Sequence, residues 1–176
     1  MSLPLYLWLL PPKPVEDRFA ELIERLGKRL GTPHFIPHIT LVGTLHSTHD
    51  EIIRHTEKLA EALPPIPVRL EGLGWTDQFY RCLFIRAERN DEILRAHKIA
   101  STALGKSAEI DFMPHLSLVY GEIPRAQKML IAGELGTNFD MAFQANRIGL
   151  CIPQGTPEQW KLPYTYQLTG QPARCK

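Results

Sequence analysis

The chain has 176 residues, 44% of them hydrophobic and 22% charged, which is enough for a single domain over 1–176 with a substantial core. A net charge of +1 excludes a global field able to hold a long nucleic-acid backbone by counterion release, but leaves room for a small anionic ligand held by local groups. The longest apolar run, Leu3 to Pro12, is too short to span a bilayer and lacks the basic flank and small-residue cleavage site of a signal peptide.

Leu5 to Leu10 reads as a buried strand with Tyr6 and Trp8 on one face. Pro14 suits the first turn of a helix whose apolar stripe is Val15, Phe19, Leu22, Ile23, Leu26 and Leu30, closed by Gly31. Phe35 to Gly43 is the second expected strand. Thr48 and Glu51 resemble a capping box before a second amphipathic helix carrying Ile52, Ile53, Thr56, Leu59 and Leu63. Two strands follow, Val68–Leu73 and Phe79–Ala87. Asn90 caps a third helix, with Ile93, Ala96, Ala100, Ala103 and Leu104 inward and Gly105 at its end. Met113 to Gly121 is the next strand, and Pro124 opens a short helix ending near Gly133. Two last strands are expected within Phe139–Ile152 and Trp160–Leu168, Pro163 pushing the latter to a sheet edge. This order implies an α+β fold with largely antiparallel sheets.

The chemistry lies in an internal match. Phe35-Ile36-Pro37-His38-Ile39-Thr40-Leu41-Val42 aligns without gaps to Phe112-Met113-Pro114-His115-Leu116-Ser117-Leu118-Val119, every position identical or chemically similar. Side chains alternate across a strand, so His38 and Thr40 share one face while Ile39 and Leu41 anchor the other; His115 and Ser117 stand likewise against Leu116 and Leu118. Two such strands related by a rough two-fold axis bring two imidazoles and two hydroxyls to opposite walls of one cleft. One neutral histidine can take a proton from water attacking phosphorus while a protonated one gives a proton to the departing oxygen. The hydroxyls of Thr40 and Ser117 can bond the non-bridging oxygens where charge accumulates. This proton traffic demands no metal and no cofactor. A lone His-x-Thr is weak evidence, because a strand histidine is more often a hydrogen-bonded core residue; two copies in matched segments make coincidence a poor explanation.

These segments resemble the paired His-x-Thr/Ser motifs of the 2H phosphoesterase superfamily. With Tyr6-Leu7-Trp8-Leu9-Leu10-Pro11, the Gln78–Phe84 strand and the Tyr120-Gly121 tail of the second motif, they are most similar to the plant and yeast cyclic phosphodiesterases. The resemblance runs over nearly the full length. It implies a bilobal fold of two antiparallel sheets with flanking helices around a central cleft. It also implies hydrolysis of ADP-ribose 1'',2''-cyclic phosphate to the 1''-phosphate, and of nucleoside 2',3'-cyclic phosphates to 2'-phosphates. His38 and His115 would then be catalytic, with Thr40, Ser117 and Tyr120 on the phosphate and Trp8 shaping the ligand wall. Tyr80 would lie in the ligand loop. The disulfides of plant members have no equivalent here: Cys82, Cys151 and Cys175 are widely spaced and odd in number. The expected partner is a small cyclic nucleotide. A cytoplasmic monomer is expected, with no membrane and no stable nucleic-acid partner. The alternatives are a related enzyme acting on RNA ends and a non-catalytic nucleotide-binding module.

The remaining residues of note have plainer readings. His46, His49 and His55 lack the spacing of a metal set. His34 reads as solvent-facing and His97 as a satisfied core histidine. Tyr6, Trp75, Phe79 and Trp160 could stack a nucleobase but read more simply as core or turn residues, and Arg81 and Arg86 are possible phosphate clamps whose plainer reading is a solvated face.

Overall fold

The computed structural model describes residues 4–136 and 138–171; Leu3 and Cys175 of the readings above lie outside them. Among the described residues eight strands, β1 (Leu5–Leu10), β2 (Ile39–Leu45), β3 (Ile66–Trp75), β4 (Leu83–Ala87), β5 (His115–Val119), β6 (Asn138–Ala145), β7 (Arg147–Ile152) and β8 (Lys161–Gln167), are interspersed with four α-helices. These are α1 (Lys13–Leu30), α2 (His49–Ala62), α3 (Asp91–Ala103) and α4 (Arg125–Leu135).

All pairings are antiparallel, in the order β6-β3-β4-β5-β2-β1-β7-β8. The two expected sheets are therefore one. Its halves, β6-β3-β4-β5 and β2-β1-β7-β8, meet where Ile39 pairs with Leu116. That order reads the same from both ends: β1-α1-β2-α2 corresponds to β4-α3-β5-α4, β7 to β3 and β8 to β6. The match between the two histidine segments is thus the sequence trace of a two-fold axis through the seam. The helices straddle that seam, α1 packing on β5 and α3 on β2, so each half helps cover the other.

Local chemistry explains the elements. Helix α1 opens with proline in its first turn and ends at Gly31, whose φ of 66° is left-handed and whose N–H bonds the Gly27 carbonyl. Phe19, Ile23 and Leu26 form its buried stripe. On α3 the Asn90 side chain accepts a bond of 2.9 Å from the Ile93 N–H. At α2 the expected capping box is incomplete: the Thr48 hydroxyl donates to the Glu51 carboxylate at 2.8 Å and accepts no backbone N–H. Ala103 is exposed rather than inward, although Leu104 beside it is buried, and α4 continues past Gly133 to Leu135.

Three strand expectations change. The histidine strands begin later than read, β2 at Ile39 and β5 at His115, because the Pro37 and Pro114 that precede the histidines lack an N–H to give a ladder. Phe79–Arg81 is a 3-10 turn and β4 starts only at Leu83. The stretch 139–152 is two strands, β6 pairing with β3 and β7 with β1, so the chain crosses between halves at Asn146. Pro163 lies on the edge strand β8, as expected, where a missing donor faces no partner.

The main core lies between the sheet and its helices and takes Leu5, Leu7 and Leu9 from β1, Ile39 and Leu41 from β2, and Leu116 and Leu118 from β5. The alternate residues of β1, Trp8 and Leu10, join Cys151 in a smaller cluster on the opposite face. Period-2 alternation therefore dedicates one face to stability and leaves the other for a ligand.

Candidate active site

On that opposite face is a cavity of about 620 Å³, and His38, Thr40, His115, Ser117 and Tyr120 all line it. The register set by Ile39 and Leu116 puts position 38 across from 117 and position 40 across from 115. Each histidine is thus paired with the other motif's hydroxyl.

The two imidazoles are held alike. Nδ1 of His38 bonds the Ile36 carbonyl at 2.7 Å, and Nδ1 of His115 bonds the Met113 carbonyl at 2.8 Å. A carbonyl can only accept, so Nδ1 carries the proton and Nε2 of each neutral ring keeps its lone pair. The intervening proline makes this contact local: it fixes its own φ and drives the residue before it into the extended region, which turns that carbonyl toward the ring.

Each histidine is backed by an aromatic from the neighbouring strand. Trp8 lies opposite Thr40 on β1 and stacks on His38 with centroids 3.6 Å apart and planes 9° apart. Phe84 lies opposite Ser117 on β4 and meets His115 edge-on at 5.1 Å. Each aromatic in turn pairs with a glycine on the next strand, Trp8 with Gly149 and Phe84 with Gly74. A Cβ on Gly74 would meet the Phe84 ring at 2.6 Å, so that glycine makes room for the support.

The halves differ at one decisive position. Five residues after His115 stands Tyr120; five after His38 stands Gly43. The Tyr120 hydroxyl lies 3.5 Å from Nε2 of His38, its ring stacked on Phe35 at 3.7 Å. Burial raises the Tyr120 pKa above the usual phenol range, so its hydroxyl stays a neutral donor. Burial also lowers His38 to about 3, with a small further push from the charge of His115. His115 is lowered as well, first by burial, while its bond to Met113 opposes the shift and the charge of Arg81 adds to it. Both rings are therefore held neutral, His38 the more firmly.

Trp8 and Tyr80 both line the cavity, in different ways: Trp8 is buried behind His38, whereas Tyr80 is 57% exposed on the 3-10 turn. Four residues with plainer readings line it too: Tyr6, Phe79, Arg81 and Trp160. Trp160, just ahead of β8, approaches Trp8, Tyr80 and Tyr120 with centroids 5.7–6.2 Å away. Arg81 follows Tyr80 into the cavity, while Arg86 points elsewhere and donates to the Leu73 carbonyl. Sequence alone offers Arg81 as a phosphate clamp and Trp160 as a stacking face without selecting either, because their placement depends on how two loops fold over the sheet.

The other histidines carry no such arrangement. His97 is a satisfied core residue: Nδ1 bonds the Leu41 carbonyl at 2.7 Å, Nε2 accepts from the Glu109 N–H at 2.9 Å, and the ring stacks on Phe112. His34 is exposed. Among the described residues no group of three or more His, Cys, Asp or Glu could hold a metal ion, and no helix is long and apolar enough to cross a membrane.

The sequence model of the 2'-5' RNA ligase superfamily matches residues 11–156. An Arabidopsis thaliana protein named cyclic phosphodiesterase is 28% identical over 162 residues, covering 88% of this chain and 90% of that protein. The crystal structure of TT0787 of Thermus thermophilus superposes with a TM-score of 0.70 at 18% identity, covering 96% of this chain and 100% of that one. That of Escherichia coli LigT complexed with 3'-AMP gives 0.63 at 11% identity, covering 96% and 99%. At these identities the two solved structures show a shared fold.

Proposed function

This chain belongs to the 2'-5' RNA ligase superfamily of 2H phosphoesterases, whose chemistry is phosphodiester hydrolysis or ligation, and from that premise we propose that it is a cyclic phosphodiesterase of small nucleotides. Its substrates are ADP-ribose 1'',2''-cyclic phosphate, opened to the 1''-phosphate, and nucleoside 2',3'-cyclic phosphates, opened to 2'-phosphates. One observation carries the reading: two imidazoles, each tethered through Nδ1 to a backbone carbonyl, leave their Nε2 atoms to one cavity lined by two hydroxyls.

The mechanism follows from the inequality of the rings. The first proton taken up by the pair goes to His115, because His38 is held neutral more strongly. His38 is then the base that accepts a proton from the attacking water, and His115 the acid that protonates the leaving ribose oxygen. The bound phosphate anion favours the protonated form of His115. Thr40 and Ser117 donate to the non-bridging oxygens. Tyr120, beside Nε2 of His38, donates to the phosphate or to the attacking water. The reaction needs no metal. Support for the nucleotide class comes from the E. coli LigT complex with 3'-AMP and from the aromatic walls of Tyr80 and Trp160, against which a base can stack.

The test is turnover of 2',3'-cyclic AMP in the presence of EDTA, with the product identified as 2'- or 3'-phosphate. His38→Asn and His115→Asn are each expected to cut turnover by roughly a hundredfold or more. Turnover near wild type in either variant would refute the two-histidine mechanism. A second reading, action on RNA 2',3'-cyclic ends, is favoured by the description of the matching superfamily. A kcat/KM for cyclic-ended oligonucleotide well above that for 2',3'-cyclic AMP would select it.

A further inference from the structure

We infer that Arg81 is a specificity-determining residue that binds a second phosphoryl group of the substrate, one beyond the cyclic phosphodiester. The inference rests on the cyclic-nucleotide reading of the same cavity and ranks its substrates: those carrying a further phosphate, as ADP-ribose 1'',2''-cyclic phosphate does, are preferred to simple nucleoside 2',3'-cyclic phosphates.

Arg81 is the sole Lys or Arg among the described residues lining the cavity, and Glu109 the sole carboxylic acid. The Arg81 guanidinium makes no hydrogen bond or ion pair with any described residue. Five N–H donors on a half-buried planar cation, facing a cavity walled by aromatic rings, suit a bidentate oxyanion.

The arm that presents it, by contrast, is tied down on every side. Lys128 on α4, 2% exposed, donates to the Thr76 carbonyl at 2.7 Å and to Asp77 at 3.0 Å. The Thr76 hydroxyl donates to the Arg81 carbonyl at 2.7 Å, and the Arg81 N–H reaches the Gln78 carbonyl at 3.0 Å. From the far side, the Gly121 N–H bonds the Phe79 carbonyl at 3.0 Å. A rigid arm with an unengaged cation at its end is the arrangement of a preformed anion site.

The scissile phosphate is the wrong anion for it. That group sits between His38 and His115, where Thr40 and Ser117 supply donors from β2 and β5, while Arg81 comes from the turn before β4. The turn meets the motif through backbone, the Ser117 hydroxyl donating to the Tyr80 carbonyl at 3.4 Å. A cavity of about 620 Å³ extends well past a cyclic phosphate and accommodates a nucleotide with its distal phosphate.

Calorimetric binding of two stable ligands, adenosine 2'-monophosphate and adenosine 2',5'-bisphosphate, tests this without turnover. The wild type should bind the bisphosphate roughly tenfold tighter or more, and in Arg81→Gln the ratio should fall close to one. The same contrast should appear in KM for 2',3'-cyclic AMP with and without a 5'-phosphate. A wild-type ratio near one, a ratio preserved in Arg81→Gln, or a failure of the wild type to bind either ligand overturns the inference. So does an equal loss on both ligands in the variant, which would move Arg81 to the scissile phosphate. Failure to hydrolyse 2',3'-cyclic AMP is a separate result and refutes the proposed function instead.

Discussion

Burial of His38 has a price in acid that can be measured. The ring is 5% exposed and its pKa is lowered to about 3, against about 6.5 in an unfolded chain. The folded state therefore keeps the ring neutral while the unfolded state takes up a proton as pH falls below about 6.5. The resulting penalty is absent above that value and grows as pH falls, reaching its full size below about pH 3. At about pH 4 the gap of some 2.5 pH units, at ~1.4 kcal/mol each, removes about 3 kcal/mol of folding stability relative to neutral pH. In His38→Asn the amide can keep the bond to the Ile36 carbonyl but cannot titrate. The assay is urea unfolding of both proteins at pH 7 and pH 4. Glu24, Glu134 and Glu158, whose carboxyls are held below their usual range, contribute equally to both and cancel in the difference. Wild type should lose about 3 kcal/mol more than the variant over that interval. Equal losses would mean that water or a counter-charge already solvates the ring, and the argument that burial keeps His38 a neutral base would fail.

Trp8→Leu removes the stacked face behind His38, and should lower kcat by roughly tenfold with little change in KM, because a loosened ring misplaces the base without altering the anion donors; steady-state kinetics on 2',3'-cyclic AMP checks it. Tyr120→Phe deletes the hydroxyl 3.5 Å from Nε2 of His38 and should lower kcat by roughly tenfold to a hundredfold, with the far-UV circular dichroism spectrum unchanged. Lys128→Met keeps the buried chain length but leaves the Thr76 carbonyl unpaired. It should cost about 1–3 kcal/mol in urea unfolding and raise KM for 5'-phosphorylated substrate more than for the unphosphorylated one. Asn90→Ala, at the start of α3 and remote from the cavity, should cost about 1 kcal/mol of stability and leave kinetics unchanged.

The cap at Asn90, the Gly31 stop and the stripe of α1 were legible because each depends on neighbours within a turn or two of the chain. The alternation in β1, β2 and β5 was legible for the same reason, and it separates core residues from cavity residues without knowledge of the partner strands. The strand ends at Phe35 and Phe79 were misread, since whether an extended residue joins a ladder depends on a partner that the local pattern does not contain. The break at Asn146 was missed because one apolar run serves two strands at opposite halves of the sheet.

What the sequence by itself determined is the chemistry on offer: two Pro-His-x-Thr/Ser segments, each with an imidazole and a hydroxyl on a face free of core duties. The tertiary structure alone decided that these faces share one cavity, that Tyr120 leans on one histidine and not the other, and that Arg81 and Trp160 complete the walls. The division follows interaction range. Dihedral preferences and side-chain alternation act over a few residues, whereas the pairing of Ile39 with Leu116 joins positions far apart in the chain and exists only once the whole sheet has closed.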